Sequence, residues 1–173
     1  MKSRFASIVA AVLLAITTIT PSSDALAQAR PSPHGSMLAI EPLGLLGIGQ
    51  FRLFQLQYEF RLTQDNSIAL RAALLPAYVG VSGFGVGASY RFFVADGRAL
   101  TGLNVSPGLD LFLLSAGDKS YQTIGIGGDL AYKWIFDSWG IEPYFRLRQN
   151  FAGSEGYYAG VDYGVGAWLG YCW

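Results

Sequence analysis

Twelve charged side chains could do chemistry in this chain: Glu41, Glu59, Asp110, Asp129, Glu142 and Asp162 against Arg61, Arg71, Arg91, Lys133, Arg146 and Arg148. Carboxylates and cations set at strand spacing can pair with one another, guide a charged solute or bind a charged ligand. The signs balance, and charges facing a cavity with little water are costly unless paired, so the expected arrangement is an internal network of salt bridges. Asp110 and Asp129 could in principle form a carboxylate pair for glycoside chemistry, but nothing in the sequence fixes their separation. Serine catalysis needs a base beside the hydroxyl, and the only histidine, His34, precedes the first expected strand. It is expected to be a solvated residue with no catalytic part. The single cysteine, Cys172, allows no internal disulfide framework and offers no metal cluster. No metal, cofactor or enzymatic activity is therefore expected.

The elements that must position these charges are strands. From Tyr157 to Trp173 the residues Tyr157, Ala159, Val161, Tyr163, Val165, Ala167, Leu169, Tyr171 and Trp173 form one apolar face. Glycines and Asp162 dominate the other face, with Trp168 as its one large apolar side chain. A period of two over such a length is a strand. Seven more strands are expected near residues 37–48, 52–62, 67–76, 83–94, 103–113, 121–136 and 141–151. In the second, Phe54, Leu56, Tyr58, Phe60 and Leu62 alternate with Gln55, Gln57, Glu59 and Arg61. Pro42 and Pro107 fall inside expected strands and predict bulges or bends, although the parity across Pro107 is unchanged, whereas Pro76 and Pro143 fall near strand ends.

Composition separates a membrane barrel from a soluble one. Charged residues are 14% of the chain against about 25% in ordinary soluble domains, and net charge is zero, so nothing points to nucleic acid. The less apolar face is rich in Gly and Ser and carries few charges for a water-facing surface. Glycines there would make room for large side chains from opposite strands of a narrow barrel. Tyr90, Phe92, Trp134, Phe136, Trp139 and Trp173 fall near one expected boundary, and Phe51, Phe54, Tyr78, Phe84, Phe151 and Tyr157 near the other, the pattern of two interfacial girdles. Turn-rich links at 63–66, 95–98 and 137–140 would lie on the periplasmic side with both termini. Short links near 49–51, 79–82, 115–120 and 152–156 would face outward.

At the N-terminus, Lys2 and Arg4 precede an apolar run from Ile8 to Ile16, and Ala25-Leu26-Ala27 supplies small residues for cleavage. Residues 1–27 read as a secretory signal peptide, 28–36 as a periplasmic lead-in and 37–173 as the barrel. The expected fold is all-β: an eight-stranded antiparallel up-and-down transmembrane β-barrel behind a cleavable signal peptide.

On these residues the chain resembles the small bacterial outer-membrane β-barrels, the group of the OmpA transmembrane domain, OmpX and OmpW. Its closing pattern Val165, Ala167, Leu169, Tyr171, Trp173 is similar to the C-terminal signal read by the barrel-assembly machinery, although such signals more often end in Phe. The stretch from Glu41-Pro42-Leu43-Gly44 to Tyr58-Glu59-Phe60-Arg61-Leu62 also resembles the start of an outer-membrane family without an assigned activity. The resemblance implies a monomer in the bacterial outer membrane, with outer-membrane lipids and, during insertion, the assembly machinery as partners. The function expected is a non-enzymatic barrel with a charge-paired, largely closed lumen, serving envelope structure or interaction. Alternatives are a small porin or carrier for small or hydrophobic solutes, as resemblance to OmpW implies, and a soluble lipocalin-like carrier with its faces reversed. Lipid A acyltransferases and deacylases share the architecture but need a histidine with Ser and a carboxylate.

Overall fold

A computed structural model describes residues 34–45, 53–78, 80–94, 100–152 and 159–173. The signal-peptide reading of 1–27, most of the lead-in, the 95–98 turn, the 49–51 link, most of the 152–156 link, Phe51 and Tyr157 lie outside the described residues. Eight strands form one closed antiparallel barrel in sequence order: β1 Ser36–Ile40, β2 Phe54–Arg61, β3 Asn66–Tyr78, β4 Val81–Phe93, β5 Gly102–Ala116, β6 Lys119–Phe136, β7 Trp139–Ala152 and β8 Gly160–Cys172. The ring closes where β8 pairs with β1, from Met37 opposite Cys172 to Ile40 opposite Leu169. Ser36 and Trp173 extend that seam by exchanging backbone hydrogen bonds of 3.1 Å in both directions.

Alternation fixes which way each side chain points. Leu56, Tyr58 and Ile126 are exposed on the outside, and Phe60 shares their face. Gln57, Glu59, Arg91, Lys133 and Glu142 are buried within. A lipocalin-like carrier needs the opposite orientation, with its apolar face lining a cavity.

The first expected strand is corrected at its far end. Rather than running to residue 48 with a bulge at Pro42, β1 stops at Ile40 and a single helical turn, α1 (Pro42–Leu45), follows beside β2 and β8. Pro42 takes the first helical position, where its missing N–H costs nothing. The Glu41 carboxylate accepts the Leu43 N–H at 3.2 Å, a capping contact. Glu-Pro is thus a helix start here.

Pro107 also departs from expectation. No bulge forms at Pro107: Ser89 faces Gly108 and Phe92 faces Val105, so each strand advances three residues across the gap and the register is unchanged. The ladder merely skips Tyr90/Pro107 and Arg91/Ser106, while Pro107 still pairs with Gly128 on the other side. Pro143 does the same inside β7, where Ala131 faces Tyr144 and Trp134 faces Ile141, yet Pro143 pairs with Ala167. Each proline drops ladder contacts on one neighbour only, and this is why the parity survives. Pro76 lies within β3, and the irregularity there falls between Leu75 and Tyr78.

Both ends of the barrel use tight turns. At one end, Gly117 takes φ 61° between paired Ala116 and Lys119; at the other, Asp137 takes φ 57° between paired Phe136 and Trp139. Two-residue hairpins call for left-handed residues, which glycine and, less readily, aspartate supply. Aromatic side chains crowd the end that holds Trp173. Tyr58 stacks on Trp173 at 6.1 Å, Trp139 meets Tyr171 edge-on at 5.7 Å, and the Tyr90 and Phe92 rings lie 4.7 Å apart. Toward the Gly117 end, Phe84 and Phe151 are exposed on the outer face.

Candidate functional site: a charge-paired interior

The inward positions of β2 to β7 carry two groups of ionised side chains. Nearer the Trp173 end, Arg91 sits between two carboxylates: Nη1 donates to Glu59 at 2.9 Å and to both oxygens of Glu142 at 2.6 and 2.8 Å. Its Nη2 donates to Gln57 at 2.9 Å. Lys133 bridges the same carboxylates, bonding Glu59 and lying 3.0 Å from Glu142. Ser67 donates to the remaining Glu59 oxygen at 2.6 Å. Two anions and two cations close on themselves with almost no exposed side-chain surface. The pairing is what makes burial of these charges tolerable.

Toward the Gly117 end a second group forms. Arg71 joins two strands by donating to Asp110 at 3.0 Å and Asp129 at 2.9 Å. Arg146 forks onto Asp129 at 2.9 and 3.2 Å, and Arg148 donates to Asp110 at 2.7 Å. Both oxygens of both carboxylates are thus held by guanidinium groups, so Asp110 and Asp129 act as a joint anchor for three arginines. Three cations face two anions in this group.

The register shows how so narrow a barrel admits these side chains. Asp110 lies directly between Gly87 on β4 and Gly125 on β6. Arg71 also faces Gly87, and Arg148 faces Gly127. A side chain on Gly87 would collide with the Asp110 carboxylate, and one on Gly85 would meet the Phe112 ring at 2.5 Å. The expectation that glycines serve side chains from opposite strands is refined: the beneficiaries are residues paired with them on adjacent strands.

Arg61 and Asp162 keep inward parity but lie at the two rims and are exposed, outside both buried groups. Glu41 is buried and caps α1. His34 donates from Nε2 to the Asp137 carbonyl at 2.8 Å, tying the residues before β1 to the β6–β7 turn. Among the described residues no group of three or more His, Cys, Asp or Glu is placed to hold a metal ion.

The sequence reading missed an apolar half of the interior. Met37, Ala39, Ala131, Tyr144, Trp168 and Cys172 pack together, with Tyr144 and Trp168 stacked at 5.9 Å. Arg146 lies over the Tyr144 ring, its guanidinium carbon 4.8 Å from the ring centre, so the apolar cluster and the charged network meet there. The inward placement of Trp168, opposite a run of outward apolar residues, was the available signal. At the Trp173 end Phe93 and Leu100 are buried as well, and Lys133 lies 5.9 Å from the Phe93 ring centre.

The chain is thus an eight-stranded closed barrel whose interior is a buried, charge-paired network beside an apolar cluster. Comparison with models of known protein families, with curated proteins and with solved structures finds no match.

Proposed function

We propose that this chain is a bacterial outer-membrane barrel, non-enzymatic and closed to solutes, whose role lies in envelope structure or interaction. One observation carries the reading: ionised side chains are inside and apolar ones outside, the reverse of a water-soluble protein. Leu70, Leu74, Phe84, Val86, Leu109 and Ile126 are among the exposed apolar residues of a surface too greasy for water. Where its strands pair, a closed barrel leaves no backbone edge to satisfy in hydrocarbon. Strands β3 to β8 have 13 to 18 residues, more than the roughly 9–11 that a tilted strand needs to cross. The described strands β1 and β2 are shorter, with 5 and 8 residues.

Two crossed charge groups spanning β2 to β7 support a closed lumen, since an eight-stranded barrel is just wide enough for side chains to fill. Orientation with both termini in the periplasm, insertion by the assembly machinery through Val165, Ala167, Leu169, Tyr171 and Trp173, and a monomeric state belong to the same proposal. Planar-bilayer recording with purified protein tests the closed lumen. No steady conductance is expected; a stable open state would establish the porin reading instead.

A further inference from the structure

The second charge group does not reach the Gly117 rim. Above it a cavity of about 320 Å³ opens, at the small end of ligand pockets, which run about 300–1,000 Å³. Its walls are apolar, with Leu75, Phe112 and Leu114 among them, and its floor is polar, formed by Arg146, Arg148, Asn150 and Thr123. Asp110 also borders the floor, but both of its oxygens are already taken by Arg71 and Arg148.

Donors exceed acceptors on this floor. Three guanidinium groups offer about fifteen N–H donors, whereas the two carboxylates they grip offer about eight lone-pair sites, and Gln55 Oε1 and the Leu147 carbonyl take one more each, from Arg146 at 3.4 Å and Arg148 at 3.2 Å. Arg148 shows the surplus: Nη2 lies 3.0 Å from Asp129 but off the hydrogen-bonding direction, and it has no hydrogen-bond partner. Thr123, only 4% exposed, has its hydroxyl oxygen buried at the cavity without a partner. A buried polar group without a partner costs free energy, and a ligand that satisfies it recovers that cost.

We propose that this cavity binds a small anionic amphiphile: one carboxylate on Arg148 and the Thr123 hydroxyl, with a short aliphatic chain against Phe112 and Leu114. Asp162 lines the same cavity at the exposed rim and works against an incoming anion, setting the affinity low. This site stands whether or not the outer surface of the barrel meets lipid. It needs no passage through the barrel.

Calorimetric titration of the full chain in micelles of a neutral, sugar-headed detergent tests it, using octanoate, octanol and acetate as probes. Octanoate is expected to saturate at one per chain and to bind at least tenfold more tightly than octanol, which lacks the charge, or acetate, which lacks the tail. Asp162→Asn should tighten octanoate binding threefold or more, and Thr123→Val should weaken it by a similar factor. The Asp162 side chain is exposed, so that variant leaves the folded barrel intact. Equal affinity for octanol and octanoate would overturn the anion site, as would octanoate affinity unchanged in Asp162→Asn.

Discussion

Replacing Arg91 with Met keeps most of the side-chain stem and deletes the cation that two carboxylates share. In the native barrel Arg91 makes four hydrogen bonds of 2.6 to 2.9 Å, to Glu59, to both oxygens of Glu142 and to Gln57. The variant leaves two buried carboxylates with Lys133 alone. Removing one partner of a buried ion pair costs about 3–5 kcal/mol. That is a large share of the roughly 5–15 kcal/mol that holds a domain together. If the cost arises from unpaired charge, a second change that removes one carboxylate should return part of it. In Arg91→Met/Glu142→Gln, Lys133 and Glu59 remain as a neutral pair, so the coupling energy of the double-mutant cycle should reach about 2–3 kcal/mol. Urea unfolding from lipid vesicles, followed by tryptophan fluorescence, measures all four corners of the cycle. A loss below about 1 kcal/mol for Arg91→Met would refute the reasoning, and so would strictly additive single changes, because either means that this group is not charge-coupled.

The glycine pairing makes a sharper steric claim: Gly166→Ala drives a methyl into the Tyr144 ring and should cost about 1–3 kcal/mol, while Gly164→Ala, with open space around it, should be near neutral in the same unfolding assay. Trp168→Ala empties the centre of the apolar cluster and should cost about 3–5 kcal/mol. On the outer face, Ile126→Arg should destabilise the vesicle-inserted barrel by about 2–4 kcal/mol and Phe136→Arg, beside the β6–β7 turn, by only about 0–1. Equal costs at the two positions would show that the outer face feels no membrane depth. The two charge groups share no partner in their hydrogen bonds, so the losses from Arg91→Met and Asp110→Asn should add to within about 0.5 kcal/mol.

The barrel was legible because alternation has a period of two, and a strand such as Leu56 to Arg61 can bury only one of its faces at a time. The same parity put Glu59, Arg71, Arg91, Asp110, Asp129, Lys133, Glu142, Arg146 and Arg148 on one side. It could not say who pairs with whom, because partners such as Arg91 and Glu142 lie 51 residues apart and meet only across the closed ring. Nor did a period of two reveal that Glu41-Pro42 ends a strand: the apolar run after Pro42 fits either periodicity, and the capping carboxylate decides it. Pro107 was misjudged for a different reason. A proline removes one donor, but whether the strand bulges or simply omits contacts depends on the neighbour it faces, which is tertiary information. The apolar cluster around Trp168 was hidden because Met37, Ala39 and Ala131 look like ordinary strand residues until closure brings β1, β6 and β8 together.

The central claim is that the outer face meets hydrocarbon while the paired charges inside stay dry. With Cys172 replaced by Ala, a nitroxide at Ile126→Cys in liposome-reconstituted protein reports its surroundings through relaxation by molecular oxygen, which concentrates in lipid, and by a water-soluble nickel chelate. The account predicts high oxygen and negligible nickel accessibility at Ile126. Free access of the nickel chelate there would contradict it.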